Sequence, residues 1–548
     1  MTPKTLQSWF KSHIKDQGKP YTLDKDQAKI VLDAHKNALV TARAGSGKTR
    51  TVVAKVVYLI AYEKIPPENI IIFAFNRKAK TEINERLAQI TCDDQPLFQA
   101  PTTPGAEPAK STKPTKLPDL ATTFHAFAYK ILDGENTIVT EAESNQIILN
   151  ALETHLEIPQ KTAKEQCQKR LSSAKQFIAR AEQQFFGDYT KLDEKIAKIT
   201  NTHAKNTLKL FEKVLRDYHA ALEFGNKVNF NQLIAKACGK LPRKTDYQYI
   251  FIDEYQDFSL LFLALIKSLR KTCKTAKLLA VGDDWQAINR FAGGNVEYFQ
   301  NFEKYFPEDS KKLFIPTNYR SGKRIVKNAN HFMGASLKDF NGCKAGNKLK
   351  SKIFLGNISN VKIPLHECYE LSGKCHDRQK CHTSSEKSEK LLIFQQYKRA
   401  VESIIAKNPG KSIKILARNN DLSFMPLRDF CTKLELDAKP NAKLEPNTKP
   451  NLTACTIHKS KGLEADVIIL LEIDAGQFPG PDKSGGLYEI FGDNEKTLLE
   501  DEHRLFYVAL TRAKEKLYIL TKTTAIEKST KKYNFLSYLN EDFLDPLF

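Results

Sequence analysis

An eight-residue run, Ala42-Arg43-Ala44-Gly45-Ser46-Gly47-Lys48-Thr49, constrains this chain more than any other feature. It follows the apolar stretch Ala38-Leu39-Val40 and leads into Thr51-Val52-Val53-Ala54-Lys55-Val56-Val57, an order that reads strand, glycine loop, helix. Glycines let backbone N–H groups turn inward around phosphate oxygens, and a helix N-terminus adds partial positive charge. The loop from Ala44 through Gly45, Ser46 and Gly47 to Arg50 therefore reads as a cradle for nucleotide phosphates. Lys48 would reach the terminal phosphates and the Thr49 hydroxyl would bind Mg2+. Ala42 stands where the pattern G-x-x-x-x-G-K-[ST] has its first glycine. Upstream, Gln27 carries a side-chain amide able to pair with both the donor and the acceptor on adenine's edge.

The rest of the chain says what the nucleotide is used for. At 548 residues it is too long for one core and implies roughly three or four domains. Its 85 Lys and Arg against 64 Asp and Glu give a charge of +21, which favours a polyanionic partner, nucleic acid first. Ten cysteines are too sparse for a disulfide scaffold. No apolar run has the length of a membrane span, and the start lacks a hydrophobic signal core. A cytoplasmic protein with no membrane partner is expected.

Ile70-Ile71-Ile72-Phe73-Ala74-Phe75 is a second buried-strand pattern, and a basic helix follows Asn76. Prolines interleaved with Thr, Ala and Lys over 95–118 read as a flexible surface insertion. From Glu141 to about Gly225 apolar residues recur at helix spacing. Tyr249-Ile250-Phe251-Ile252 then ends in Asp253-Glu254. Adjacent carboxylates on a strand end are what an ATPase needs opposite its phosphate loop. Asp253 would hold Mg2+, and Glu254 would orient and deprotonate the attacking water. Leu278-Leu279-Ala280-Val281-Gly282 repeats the format, so several strands deliver polar groups to one sheet edge.

Taken in order, the motifs resemble the UvrD/Rep class of superfamily 1 DNA helicases. They are Leu23…Gln27, AGSGKT, AFNRKAKTEI, TTFHAF, DEYQD, GDDWQAINRF, Asn318-Tyr319-Arg320-Ser321, TIHKSKGLEAD and YVALTRAKEKL, spanning Leu23 to Leu517. The resemblance implies an α/β fold with two RecA-like P-loop NTPase motor domains and a helical insertion in the first. The expected layout is residues 1–133 and 229–310 for the first motor domain and 134–228 for the helical insertion. The second motor domain would take 311–548, with a Cys/His-containing insertion near 340–390.

By the same resemblance ATP sits in a cleft with single-stranded DNA across the top, Gln286 senses the γ-phosphate, and Arg320 and Arg512 reach it. Tyr319 stacks on adenine and Glu464 binds the ribose. Phe75, Asn76, Phe124, His125, Phe291 and His458 line the DNA track, whereas Trp285 is expected to pack. The implied activity is 3′-to-5′ movement on single-stranded and tailed duplex DNA with unwinding, in repair, recombination or defence. Two departures stand out. Asn289 and Phe291 occupy places where the family often has Tyr and Trp. The segment between Arg320 and Thr456 looks too short for the large inserted subdomain called 2B, which leaves a DNA-stimulated ATPase that regulates or loads a partner nuclease as the rival reading. A kinase or GTPase explains neither Gln27 nor the motifs after Arg320. Cys368, Cys375, Cys381 and His382 form a candidate Zn2+ set, although their spacings match no standard pair.

Overall fold

Apolar residues on alternating positions of the first strands point to opposite faces, so both faces of the sheet they form must be covered. In the computed structural model, Val40, Ile70, Ile72, Phe251 and Val281 enter one core, while Leu39, Ile71, Phe73, Ile250 and Ile252 enter another. The structure describes residues 1–98, 119–156, 160–185, 188–363, 386–437, 451–474, 476–480, 487, 489–522 and 534–547. Two units emerge. The first takes Met1–Ala42, Gly47–Ile315 and Ser484–Asn494, and the second takes Arg43–Ser46, Pro316–Lys483 and Glu495–Phe548.

The first unit holds a parallel sheet of six strands: β1 (Asn37–Ala42), β2 (Ile70–Ala74), β3 (Ala121–Thr123), β4 (Tyr249–Ile252), β5 (Lys277–Gly282) and β6 (Ser310–Ile315), in the order β6-β1-β5-β4-β2-β3. Helices α1 (Lys25–Leu32), α2 (Lys48–Ala61) and α3 (Arg77–Ala88) belong to this unit. A small antiparallel sheet lies beside them, in which Gln95–Pro96 pairs with Ile90–Cys92, itself paired with Ile14–Asp16. This corrects the insertion expected from residue 95: Leu97 and Phe98 pack on the core, so the fold continues to residue 98. Residues 99–118 lie outside the described residues.

Helices occupy Glu141–His155, Gln160–Gln184 (α4), Thr190–Ala197 and Thr202–Phe224, with Phe177, Leu208, Phe211 and Leu215 in their shared core. Ile490 and Phe491, more than 260 residues later in the chain, complete that core. Arg180 of α4 makes a bidentate pair with Asp493, at 2.6 and 2.8 Å, and its guanidinium lies 4.7 Å from the Phe491 ring centre. Lys195 donates to the Ile490 carbonyl at 2.9 Å.

The second unit repeats the sheet plan. Its strands are β7 (Lys352–Asn357), β8 (Ile413–Ala417), β9 (Leu452–Thr456), β10 (Ala465–Leu470), β11 (Ala513–Thr521) and β12 (Leu544–Pro546), parallel in the order β9-β8-β10-β11-β7-β12. Ile413, Ile415, Val467, Ile469, Tyr518 and Leu520 fill one of its cores. Helices α5 (Lys323–Leu337) and α6 (Glu495–Leu510) belong to this unit. Among the described residues no helix is long and apolar enough to cross a membrane.

Candidate functional site

In the first unit, Gly47 takes φ +83° as the residue before α2, a conformation that favours glycine, and Lys48 and Thr49 open the helix half-buried. A Cβ on Gly47 would lie 3.1 Å from the Gln27 amide nitrogen, so Gln27 sits directly against the loop. Gln27 is buried. Its Oε1 accepts from the Asp24 amide at 3.1 Å while Asp24 accepts from the Gln27 amide at 2.7 Å, which makes the proposed base reader part of the N-terminal cap of α1 as well. Arg50 stacks over the Tyr21 ring at 4.1 Å and donates to the Thr22 carbonyl at 3.2 Å.

The two carboxylates emerge at the end of β4. Asp253 is buried, and burial first, then repulsion from Glu254, push its carboxyl up to about 7 despite the opposing pull of Lys48. Glu254 takes φ +55°, a left-handed turn that sharply redirects the chain. Gln256 then ties the site together. Its amide nitrogen donates to Glu254, and its Oε1 accepts from the Asp283 amide at 2.8 Å, just beyond β5. A Cβ on Gly282 would lie 2.5 Å from that Oε1, so the close approach requires glycine. Gln286 donates to Asp283 from the same turn. Sequence reasoning missed Gln256; its signal is the amide two positions beyond the acidic pair. Trp285 is buried, as its packing role required.

The residues expected on the DNA track separate into two groups. Phe291 is 50% exposed and His125 half-buried beside Phe230, which is 52% exposed with ring centres 5.1 Å apart. Sequence reasoning passed over Phe230. Burial pushes His125 down to about 4, so its ring is neutral at pH 7. Phe75 is half-buried, and exposed Asn76 caps α3 through the Ala79 amide at 2.8 Å. Phe124 is different, and the base-stacking reading of it is corrected. It is 2% exposed and sandwiched between Phe73 and Phe262 at 4.7 and 4.1 Å, with no face left for a base.

The second unit contains Ala44, Gly45 and Ser46 together with the segment after β6. Asn318 donates to the Ala44 carbonyl at 2.6 Å, and the Tyr319 amide donates to the Gly45 carbonyl at 2.8 Å. Tyr319 itself is 43% exposed. Arg320 donates to Glu464 at 2.7 Å, and Lys514 meets the other Glu464 oxygen at 2.8 Å. Burial raises the Glu464 carboxyl, but the bonds to Lys514 and Arg320 outweigh it and hold it below the usual range. The carboxylate expected on a ribose is thus engaged by two cations. Arg512 is buried, donating to the Val508 carbonyl at 3.0 Å and the Leu463 carbonyl at 3.3 Å. His458 is half-buried and pushed down to about 4, chiefly by burial. Cys368, Cys375, Cys381 and His382 lie outside the described residues.

A phosphate loop on one six-stranded parallel sheet, with a second such sheet in the same chain, defines an α/β P-loop NTPase with two RecA-like domains. Comparison with known proteins narrows the class. The UvrD/REP helicase N-terminal domain matches residues 23–307, and the UvrD-like helicase C-terminal domain matches residues 371–524. DNA helicase IV of Escherichia coli strain K12 is 27% identical over 91% of this chain and 68% of its own. A probable DNA helicase of Mycoplasma pneumoniae is 25% identical over 95% of this chain and 88% of its own. The ATP-dependent DNA helicase PcrA of Bacillus subtilis is 25% identical over 74% of this chain and 51% of its own. The chain belongs to the UvrD/REP helicase family, and its class of activity is that family's ATP-dependent helicase activity.

Proposed function

We propose that the chain is a DNA motor that couples ATP hydrolysis to 3′-to-5′ movement on single-stranded DNA and to unwinding of tailed duplexes, working in the cytoplasm in repair, recombination or defence. The observation that carries this reading is the bonded set Glu254–Gln256–Asp283–Gln286, which links the ends of neighbouring strands β4 and β5. Such a set fixes a water-activating carboxylate and a phosphate-sensing amide relative to one another. The oxygen donors Thr49 and Asp253 suit Mg2+, which when bound neutralises charge on the β- and γ-phosphates. Lys48 holds the terminal phosphates, and Glu254, oriented by Gln256, takes the proton of the attacking water. Gln27 and Tyr319 select the base, and Arg320 and Arg512 stabilise the charge that spreads over the transferring phosphoryl oxygens.

The DNA track is assigned to His125, Phe230, Phe291 and His458, together with Phe75 and Asn76. Neutral rings suit sequence-tolerant stacking on bases, each worth about 1–3 kcal/mol. The domain layout follows the same reading: residues 1–133 and 229–310 as one motor domain, 134–228 as its insertion and 311–548 as the other.

The test is ATP hydrolysis with and without single-stranded DNA, beside Lys48→Ala and Glu254→Gln, followed by duplexes with 3′ or 5′ tails. Strong stimulation lost in both variants, with strand release from the 3′-tailed duplex alone, is the expected result. DNA without effect on a working ATPase removes the motor reading. The short span between Arg320 and Thr456 favours one second reading, an ATPase that loads or regulates a partner nuclease, and stimulation without strand release selects it. Metal analysis of the purified protein tests the candidate Zn2+ set of Cys368, Cys375, Cys381 and His382.

A further inference from the structure

Arg43 is the unusual member of the phosphate loop: a long cation directly after the buried end of β1, yet only 2% exposed. Its Nε donates to the Asn341 carbonyl at 2.8 Å, and its Nη2 faces Asp339 Oδ2 at 3.6 Å. The receiving turn is shaped for it. Lys338, the residue that caps the C-terminus of α5, takes φ +57°, and Asp339 Oδ1 accepts from the Asn341 amide at 3.0 Å and from its side chain at 2.9 Å. That leaves Oδ2 directed at the guanidinium. Within the loop, the Ser46 amide donates to the Arg43 carbonyl at 3.1 Å and closes the turn. The next two carbonyls are taken by Asn318 and the Tyr319 amide. A Cβ on Gly45 would lie 2.6 Å from the Arg320 Cβ, so the backbone is pressed against this support.

We propose that Arg43 is a positioning residue for nucleotide binding, clamping the phosphate loop through Asp339 and the Asn341 carbonyl so that its phosphate-binding shape is set before nucleotide arrives. The proposal rests on the reading that this loop binds nucleotide. A loop held in its bound shape loses less entropy on binding, which is how a residue pointing away from the ligand raises affinity for it. A fork that bonds a carbonyl through Nε and faces a carboxylate through Nη2 is beyond lysine, so Arg43→Lys restores only part of the effect.

The test is isothermal titration of the full chain with Mg-ADP, using Arg43→Ala, Arg43→Lys, Asp339→Ala and the double variant Arg43→Ala/Asp339→Ala. Arg43→Ala is expected to weaken ADP binding about 10-fold and Asp339→Ala about 3-fold. The double variant should bind no more weakly than Arg43→Ala, because the two residues act as one clamp. Affinity for an oligo-dT strand without nucleotide should stay within about 2-fold of wild type, which a general loss of folding would not allow. ADP affinity of Arg43→Ala equal to wild type, or single effects that multiply in the double variant, would overturn the clamp. A wild-type chain that fails to bind ADP removes the nucleotide reading itself, and the clamp with it. Lys48→Ala identifies the heat signal that belongs to this loop.

Discussion

In the first sheet, residues 44–50 follow the end of β1, Phe75 and Asn76 follow β2, Asp253 and Glu254 follow β4, and Gln286 comes four residues after β5. In the second sheet, Glu464 and Arg512 stand immediately before β10 and β11. The first arrangement is the usual one for open parallel sheets, whose ligands sit beyond the carboxyl ends of the strands. The second departs from it. The groups also differ in state: Glu254 and Gln286 are joined through Gln256 and Asp283, whereas Arg320 and Arg512 are bonded to a carboxylate and to carbonyls of their own unit. One edge joins its acidic and amide groups into a single bonded set. The other holds its arginines on bonds within its own unit.

If that contrast is right, Arg320→Ala lowers kcat by roughly 10³-fold while ADP affinity changes little, because the arginine acts on charge that develops only in the transition state. Equal losses in kcat and ADP affinity would make it a ground-state contact instead. A contrast inside the first unit comes next. Phe124→Ala should cost about 3–5 kcal/mol of folding stability in denaturant unfolding. Phe291→Ala should leave stability alone and weaken single-stranded DNA binding by about 1–3 kcal/mol. Reversed outcomes would return Phe124 to the DNA track. Gln256→Ala should lower kcat about 10-fold without changing ADP affinity, since it removes one charge-assisted bond to Glu254.

A last expected effect concerns Asp253. Its folded carboxyl is raised to about 7 from 3.8, so the native state binds more protons than the unfolded state between those values, and ligand-free stability falls as pH rises through that window. Asp253→Asn, which cannot ionise, should therefore melt higher than wild type at pH 8 and equally near pH 4, measured without metal or nucleotide. An equal melting temperature at pH 8 would show that the carboxyl ionises at its ordinary value.

The phosphate loop and the acidic pair were legible because each joins a local pattern to a strand end: apolar run, then polar residues with fixed chemistry. Phe124 was not. The short strand β3 passes straight into a helix, and the change of period turns that ring into the core, which no strand alternation foretells. Gln95–Pro96 was hidden by composition, since its pairing partners lie in strands too short to show a period. The cap formed by Gln27 could be read from Asp24 three residues earlier, but the resemblance drew attention to the base instead. Arg180 and Asp493 are separated by 313 residues, and nothing local marks either as the other's partner.

That pair has a practical consequence for anyone dividing the chain. Cutting after β6, at residue 315, looks like the natural way to produce the first unit alone, yet the piece would lack residues 484–494, which belong to it. Arg180 would remain inside as a cation without its carboxylate, a loss of about 3–5 kcal/mol, and the seat of Phe491 would open to solvent. Sequence order and structural membership are different maps of this molecule, and a first unit that stands by itself has to be assembled from both of its distant stretches.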